Sequence, residues 1–145
     1  MNQNIQIQEP RAASGAVRWL LRAEAALVLA LSLWLYARHG AGWPTWLGCF
    51  LLPDLALLAY LAGPRTGALA YNCTHSYAGP LICLLLAQQL DGPWWSVGLI
   101  WLAHVGFDRM LGYGLKYGDG FGFTHLGRIG RLPGKPHRVG RGGLW

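Results

Sequence analysis

Four apolar stretches occupy most of this chain, and each has about the length that a helix needs to cross a bilayer. They cover residues 17–36, 44–62, 70–90 and 94–115. A hydrocarbon core of ~30 Å requires about 20 apolar residues at ~1.5 Å per residue. Short connectors rich in Gly and Pro separate the stretches: HGAGWP, AGPRTG and QLDGPWW. The pattern predicts an all-α, polytopic membrane protein, a bundle of four transmembrane helices spanning residues 17–115.

The composition agrees with a membrane protein and excludes several soluble classes. Charged residues make up 12% of the chain, about half of the ~25% found in soluble domains, and the mean hydropathy is +0.27. These values exclude a disordered chain and an acidic binding module. The three Cys are odd in number and form no CxxC pair. They therefore predict neither a disulfide scaffold nor a Cys-type zinc site.

Basic residues are concentrated at the two ends of the chain. Residues 1–16 are predicted to be an N-terminal segment, and residues 116–145 an interfacial segment with a basic tail rich in Gly and Pro. Five of the twelve basic residues fall in the last 18 positions: Arg128, Arg131, Lys135, Arg138 and Arg141. We interpret the tail as a solvated segment near anionic lipid, with no specific nucleic-acid partner. Because Lys and Arg favour the cytoplasmic side, and four spans return the chain to it, both termini are predicted to be cytoplasmic.

A few ionisable residues interrupt the apolar spans, although a charge at membrane depth costs about 2.5–3.5 kcal/mol. In the predicted topology five of them fall within roughly 7–17 Å of the same membrane face: Glu24, Asp54, His75, His104 and Asp108. His104 and Asp108 are also spaced i, i+4, so they share one face of the fourth helix. We expect the carboxyl of Asp54 and the imidazoles of His75 and His104 to lie within about 5–8 Å of one another.

Imidazole nitrogens and carboxylate oxygens around a bundle axis suit a divalent metal, zinc first, with manganese or iron as alternatives. The residues also allow structural interpretations. His104 can be a hydrogen-bonded core histidine, Asp108 can pair with Arg109, and Glu24 can pair with Arg22 or Arg109. His75 can simply begin a helix after Thr74. A polar core without a metal therefore remains open beside the metal site.

The segment YGLKYGDGFGFTHLGR, residues 113–128, contains five Gly. It lacks the GxxxxGK[ST] pattern of a phosphate-binding loop and does not follow a strand. We expect a tight interfacial segment that carries Phe121, Phe123 and His125 back under the bundle. His125 would then reach the polar layer as a further ligand or a general acid.

Two runs carry a family resemblance: LLPDLALLAYLAGPRTGALAYNCTHSYAGP and WLAHVGFDRMLGYGLKYGDGFGFTHLG. They resemble domain-of-unknown-function family 4260, which implies four transmembrane helices in a bacterial inner membrane and no known reaction. The order LPD, THS, H-x-x-x-D is also similar to a family named as LexA-binding inner-membrane hydrolases, which look like relatives of zinc-dependent phospholipase C. That likeness implies four metal ligands: Asp54, His75, His104 and Asp108. The chain departs from it in two places, with LAL after LPD and AYNC before THS.

Two classes of function stay open. In the enzymatic interpretation, the chain is a metal-dependent hydrolase of a lipid-like or phosphorylated substrate. Glu24 or His125 is then the general base, and Arg109 pairs with an anionic substrate. In the non-enzymatic interpretation, the same cluster is an ion or proton relay, or the structural polar core of a membrane scaffold. Membrane lipid is the expected partner in both, and a homo-oligomer is left open.

Overall fold

The computed structural model describes residues 12–90, 92–118 and 121–129. These residues are mostly helical, in agreement with the all-α prediction. The elements are α1 (Gly15–His39), α2 (Trp43–Cys49), a 3₁₀ helix (Leu52–Ala62), α3 (Pro64–His75), α4 (Ala78–Ala87) and α5 (Trp94–Leu111). A two-residue antiparallel hairpin follows, β1 (Phe123–Thr124) and β2 (Gly127–Arg128). Most of the predicted N-terminal segment and of the basic tail lies outside the described residues, including Arg131, Lys135, Arg138 and Arg141.

Two helical segments are long and apolar enough to cross a membrane. One is α1, and the other is Trp43–Ala62, in which α2 and the 3₁₀ helix follow one another. Only 17% and 6% of their most apolar 18-residue stretches are buried inside the molecule, so neither resembles the core helix of a soluble fold. Leucines are exposed along both segments, to 90% at Leu61. Apolar surface of this extent requires a partner or a lipid environment.

The third predicted span, residues 70–90, differs from the prediction because it is not one continuous helix. α3 ends at His75, Ser76 is extended (φ −87°, ψ 151°), and α4 begins at Ala78. Pro80 accounts for the break. It has no N–H to donate to the carbonyl of Ser76, and its ring would clash with that carbonyl in an uninterrupted helix.

α5 is the central helix, since α1 and α4 both pack against it. The approach of α1 is close at Gly106, where an added Cβ would lie 3.0 Å from the Leu29 backbone nitrogen and 3.1 Å from the Ala25 carbonyl oxygen. The 3₁₀ helix packs against α3 instead. The buried apolar cluster beside α5 contains Tyr36, Trp46, Leu99, Ile100 and Ala103.

The chain turns back after α5 and returns to the bundle. Gly112 ends the helix in the left-handed region (φ 101°), which favours glycine. Tyr113 N–H donates to the carbonyl of Asp108 (2.8 Å), and Ala13 N–H donates to the carbonyl of His125 (2.8 Å). The predicted return of this segment is therefore present, and it brings Lys116 and His125 back to the helices.

Candidate metal centre and two polar cavities

Four predicted ligands come together from three elements. Asp54 lies in the first turn of the 3₁₀ helix, His75 ends α3, and His104 and Asp108 lie one turn apart on α5. One nitrogen or oxygen from each lies within 4.8 Å of those of the others. Both imidazoles are buried, whereas the Asp54 side chain is 35% exposed. The convergence predicted from depth is present, and this buried group can hold a metal ion.

Four of the six distances within the group resemble the edges of a coordination tetrahedron. Four donors ~2.0–2.2 Å from one ion are ~3.3–3.6 Å apart. His75 Nε2 lies 3.3 Å from Asp54 Oδ1 and 3.5 Å from Asp108 Oδ2. His104 Nε2 lies 3.5 Å from Asp54 Oδ1 and 3.1 Å from His75 Nε2. The two remaining distances, from Asp108 to Asp54 and to His104, lie within 4.8 Å, so small side-chain adjustments would complete the site for a divalent ion.

Neighbouring groups orient two of the four ligands. The Nδ1 of His75 faces the carbonyl of Tyr71 at 3.1 Å and the Thr74 hydroxyl at 2.8 Å. A carbonyl only accepts, so we assign the ring proton to Nδ1, which leaves the Nε2 lone pair directed at the carboxylates. The hydroxyl of Tyr71 donates to Asp108 Oδ2 (3.0 Å), and its ring stacks on His75 (3.7 Å). Such outer contacts fix the orientation of metal ligands.

His104 is held differently from His75. Its Nδ1 is buried and has no hydrogen-bond partner in the described part of the chain. The His104 ring makes a T-shaped contact with the Phe50 ring, with 5.2 Å between the ring centroids. On its Nδ1 side this imidazole is therefore held by packing, while its Nε2 faces His75 Nε2 at 3.1 Å.

A cavity of about 310 Å³ opens beside the group, and we call it the metal-side cavity. Its lining comprises Asp54, Leu57, Tyr71, Asp108, Tyr113, Lys116 and Phe121. Lys116 is 4% exposed, and its Nζ is buried without a hydrogen-bond partner among the described residues. Burial lowers the pKa of the Lys116 ammonium, and the Asp108 carboxylate opposes that effect. A buried cation thus faces the same space as two of the ligand carboxylates.

Asn72 fixes the backbone at Lys116. Its side-chain Nδ2 donates to the Lys116 carbonyl (2.8 Å), and its Oδ1 accepts from the Lys116 N–H (2.7 Å). This pair of bonds fastens the returning segment to α3. The Asn in AYNC, which departs from the hydrolase-like pattern, therefore has a defined structural role.

A second cavity of about 190 Å³, the Glu24 cavity, lies elsewhere, and the two share none of their lining residues. Its lining comprises Leu21, Glu24, Ala25, Val28, Tyr77, Arg109, His125 and Leu126. The three residues predicted to act in catalysis, Glu24, Arg109 and His125, are thus gathered together but apart from the metal-side cavity. Their catalytic roles stay predictions.

The side chains of Arg109 and His125 are both fixed by hydrogen bonds to the backbone. Arg109 donates to the carbonyl of His75 (3.4 Å), which α3 leaves free at its end, and its guanidinium lies over the Tyr77 ring (4.5 Å). His125 Nδ1 accepts from the Leu115 N–H (2.8 Å). Burial, and then the charge of Arg109, lower the pKa of His125. Arg109 therefore supports a ligand helix rather than lining the metal-side cavity.

The family model described as domain of unknown function (DUF4260) matches residues 18–129, which include all of these residues. The chain belongs to this family. No curated protein and no solved structure matches it. Membership in DUF4260 brings no reaction with it, so the chemistry must be argued from the site.

Sequence reasoning missed two residues of this DUF4260 site. Tyr71 precedes His75 by one helical turn, and that i, i+4 spacing was a usable signal. In the sequence, Lys116 is only a basic residue that directly follows the fourth apolar stretch. Its place in the cavity depends on how the chain returns after Gly112, which no local pattern records.

Proposed function

We propose that this DUF4260 member is a multi-pass protein of the bacterial inner membrane with a divalent metal centre near the cytoplasmic face. We propose further that it is a metal-dependent hydrolase of a lipid-like or phosphorylated substrate. The observation that carries the proposal is the group of two imidazoles and two carboxylates with ligand atoms within 4.8 Å of one another, beside a cavity large enough for a headgroup-sized ligand. The exposed apolar surface of the helices supports the membrane location.

Zinc is the first candidate, with manganese or iron next, because two nitrogen and two oxygen donors suit all three ions. A bound ion of this class supplies a Lewis acid and lowers the pKa of a coordinated water toward ~7. His75 and His104 would hold it from the buried side. Asp54, the most exposed of the four, borders the cavity and is the side chain best placed to exchange with substrate or accept a proton.

The other predicted catalytic residues take supporting roles in this proposal. Glu24 and His125 line the Glu24 cavity, so Asp54 takes the proton-accepting role assigned to them from the sequence. Arg109 holds the end of α3 through the carbonyl of His75. It positions a ligand rather than pairing with the substrate.

One observation favours the second candidate, a structural polar core in a relay or scaffold. His104 Nε2 and His75 Nε2 are 3.1 Å apart, and His75 Nε2 and Asp54 Oδ1 are 3.3 Å apart. If His75 also carries a proton on Nε2, these separations permit hydrogen bonds, so the group can then satisfy itself without an ion. The two candidates differ in whether a metal stabilises the protein.

Metal analysis of the detergent-solubilised chain tests the proposal. We expect about one zinc, manganese or iron per chain in the wild type and none in His104→Ala. His39→Ala is the matched control, because His39 is exposed at the end of α1 and outside the group. Metal at ~100 times its dissociation constant should stabilise the wild type and the control by about 2.7 kcal/mol, but not His104→Ala.

A structural core predicts a different pattern in the same experiment. His104→Ala would then remove a hydrogen-bond partner of the buried His75, at a cost of roughly 1–3 kcal/mol, with no response to any divalent ion in the wild type. This pattern would refute the metal centre.

A further inference from the structure

The buried ammonium of Lys116 has no acceptor within the part of the chain that the structure describes. An ammonium carries three N–H donors, and a buried charge without a partner costs several kcal/mol. No carboxylate oxygen of the described residues forms an ion pair with its Nζ within 4.0 Å. The Phe121 ring lies 3.9 Å from Nζ and the Tyr71 ring 5.0 Å away. Those rings attract the cation but provide no hydrogen-bond acceptor.

The position of Lys116 indicates that the missing acceptor is a ligand. Two hydrogen bonds from Asn72 hold its backbone, so its direction is set by the fold. Lys116 lines the same cavity as Asp54 and Asp108. A flexible surface lysine would reach water instead, whereas this one is 4% exposed. The cavity therefore presents unused donors beside the ligand carboxylates.

The charge balance favours an anion. With a divalent ion between two neutral imidazoles and two carboxylates, the metal centre is neutral, and Lys116 leaves the cavity with one positive charge. An oxyanion that accepts from the ammonium and approaches the ion neutralises that charge. Phosphate-type groups have several acceptor oxygens and suit both partners at once.

We propose that the metal-side cavity is an oxyanion site for a phosphate-type group, with Lys116 as its charged donor. This inference rests on the proposed function, since it names the part of the substrate that the cavity receives. The group belongs to a lipid headgroup or to a soluble phosphate ester. The Leu57, Tyr113 and Phe121 walls of the cavity suit the organic part that adjoins such a group.

Inorganic phosphate is the probe, added to the zinc-loaded, detergent-solubilised full chain. We expect phosphate to raise the melting temperature of the wild type and to bind at least about tenfold more weakly to Lys116→Met, because a hydrogen bond to a charged group is worth about a factor of ten or more. Lys135→Met, the same change at the chain's other lysine, should leave phosphate binding unchanged. Lys116→Arg keeps the charge and should retain most of the binding.

Zinc binding separates this inference from the proposed function. Lys116→Met keeps all four ligands, so zinc should raise its melting temperature as it does for the wild type, which also shows that the variant folds. Equal phosphate affinity in the wild type and Lys116→Met, with zinc bound to both, would overturn the oxyanion site and leave the metal centre intact. Absence of zinc binding in the wild type would overturn the metal centre, and Lys116-dependent phosphate binding without zinc would still support the oxyanion site.

Nanodiscs distinguish the two sources of the oxyanion. If the site takes a lipid headgroup, phosphatidic acid in the nanodisc should compete and weaken the apparent affinity for inorganic phosphate in the wild type. If it takes a soluble phosphate ester, that affinity should equal the value in phospholipid-free detergent. Either result supports the site, provided that Lys116→Met weakens phosphate binding at least about tenfold in the same membrane or detergent.

Discussion

His125 is a single residue through which the stability of the folded chain depends on pH. Its ring lines the Glu24 cavity, where Glu24, Tyr77 and Arg109 are its polar neighbours. Its Nδ1 accepts the Leu115 N–H at 2.8 Å, so that atom must be unprotonated in the folded state. Burial and the charge of Arg109 lower the pKa of His125 below its ordinary value of 6.5. The unfolded chain therefore takes up this proton before the folded one does.

The sign of the resulting pH dependence follows from linkage. At pH above about 6.5 His125 is neutral in both states, and its contribution to stability is complete; that contribution is lost as the pH falls from there through the lower folded-state pKa. His125→Asn, which keeps an acceptor near Nδ1, should flatten this part of the profile. The check is the free energy of unfolding of both proteins between about pH 5 and 8. His39→Asn is the exposed control, and an unchanged slope in His125→Asn would contradict the argument.

The candidate site could be predicted only in part, for a geometric reason. Depth along each span placed Glu24 in one layer with the four ligands, but depth does not give the direction around the bundle. At about 100° per residue, Gly106 lies nearly opposite His104 and Asp108 on α5. α1 packs on the Gly106 side, so Glu24 reaches a different cavity from the one beside Asp54.

At the scale of elements, close packing of α1 on α5 depends on Gly106. An added Cβ would meet the backbone of Leu29 at 3.0 Å and the Ala25 carbonyl at 3.1 Å, and neither can move without shifting the helix. Gly106→Ala should therefore lower the stability by roughly 1–3 kcal/mol. Gly48→Ala is the matched control, because nothing lies within 4 Å of its added Cβ. It should be neutral or stabilising by up to about 1 kcal/mol.

Thermal or denaturant unfolding in detergent measures both glycine variants. If the free energy of unfolding of Gly106→Ala changes no more than that of Gly48→Ala, α1 adapts to the added methyl group without cost. Because Gly106 lies nearly opposite His104 and Asp108 on α5, displacement of α1 should leave the metal content near that of the wild type. Loss of metal in Gly106→Ala would mean that α1 helps to set the ligand geometry.

Helix interruptions mark the other limit of prediction at this scale. Hydropathy treats residues 70–90 as one apolar run, yet α3 and α4 are separate. Pro80 was the available signal, since proline inside a helix removes a hydrogen bond and clashes with the preceding turn. The break also affects the candidate site: it leaves the His75 carbonyl free for Arg109 (3.4 Å), which ties the end of α3 to α5. Apolar length indicates where helices lie but not where they stop.

The exposed apolar surface extends beyond the two segments that are long enough to cross a membrane alone, which bears on how many times the chain crosses the bilayer. α1 and Trp43–Ala62 qualify as membrane-spanning by length and composition. α3 and α4, at 12 and 10 residues, are each shorter than the ~20 residues that one crossing needs. Leu81, Ile82, Leu85 and Leu86 of α4 are nevertheless exposed. We therefore expect α3 and α4 to cross together and α5 to return.

Reporter fusions test this topology. Four crossings with cytoplasmic termini predict an external signal for a fusion after Tyr36, a cytoplasmic signal after Ala62 and an external signal again after Leu90. This topology keeps the basic residues at both ends of the chain, and Arg65, on the cytoplasmic side, which Lys and Arg favour. If only α1 and Trp43–Ala62 cross, the fusion after Leu90 reports the cytoplasm instead. That result would place His104 and Asp108 outside the bilayer and remove the reason to expect a lipid headgroup in the metal-side cavity.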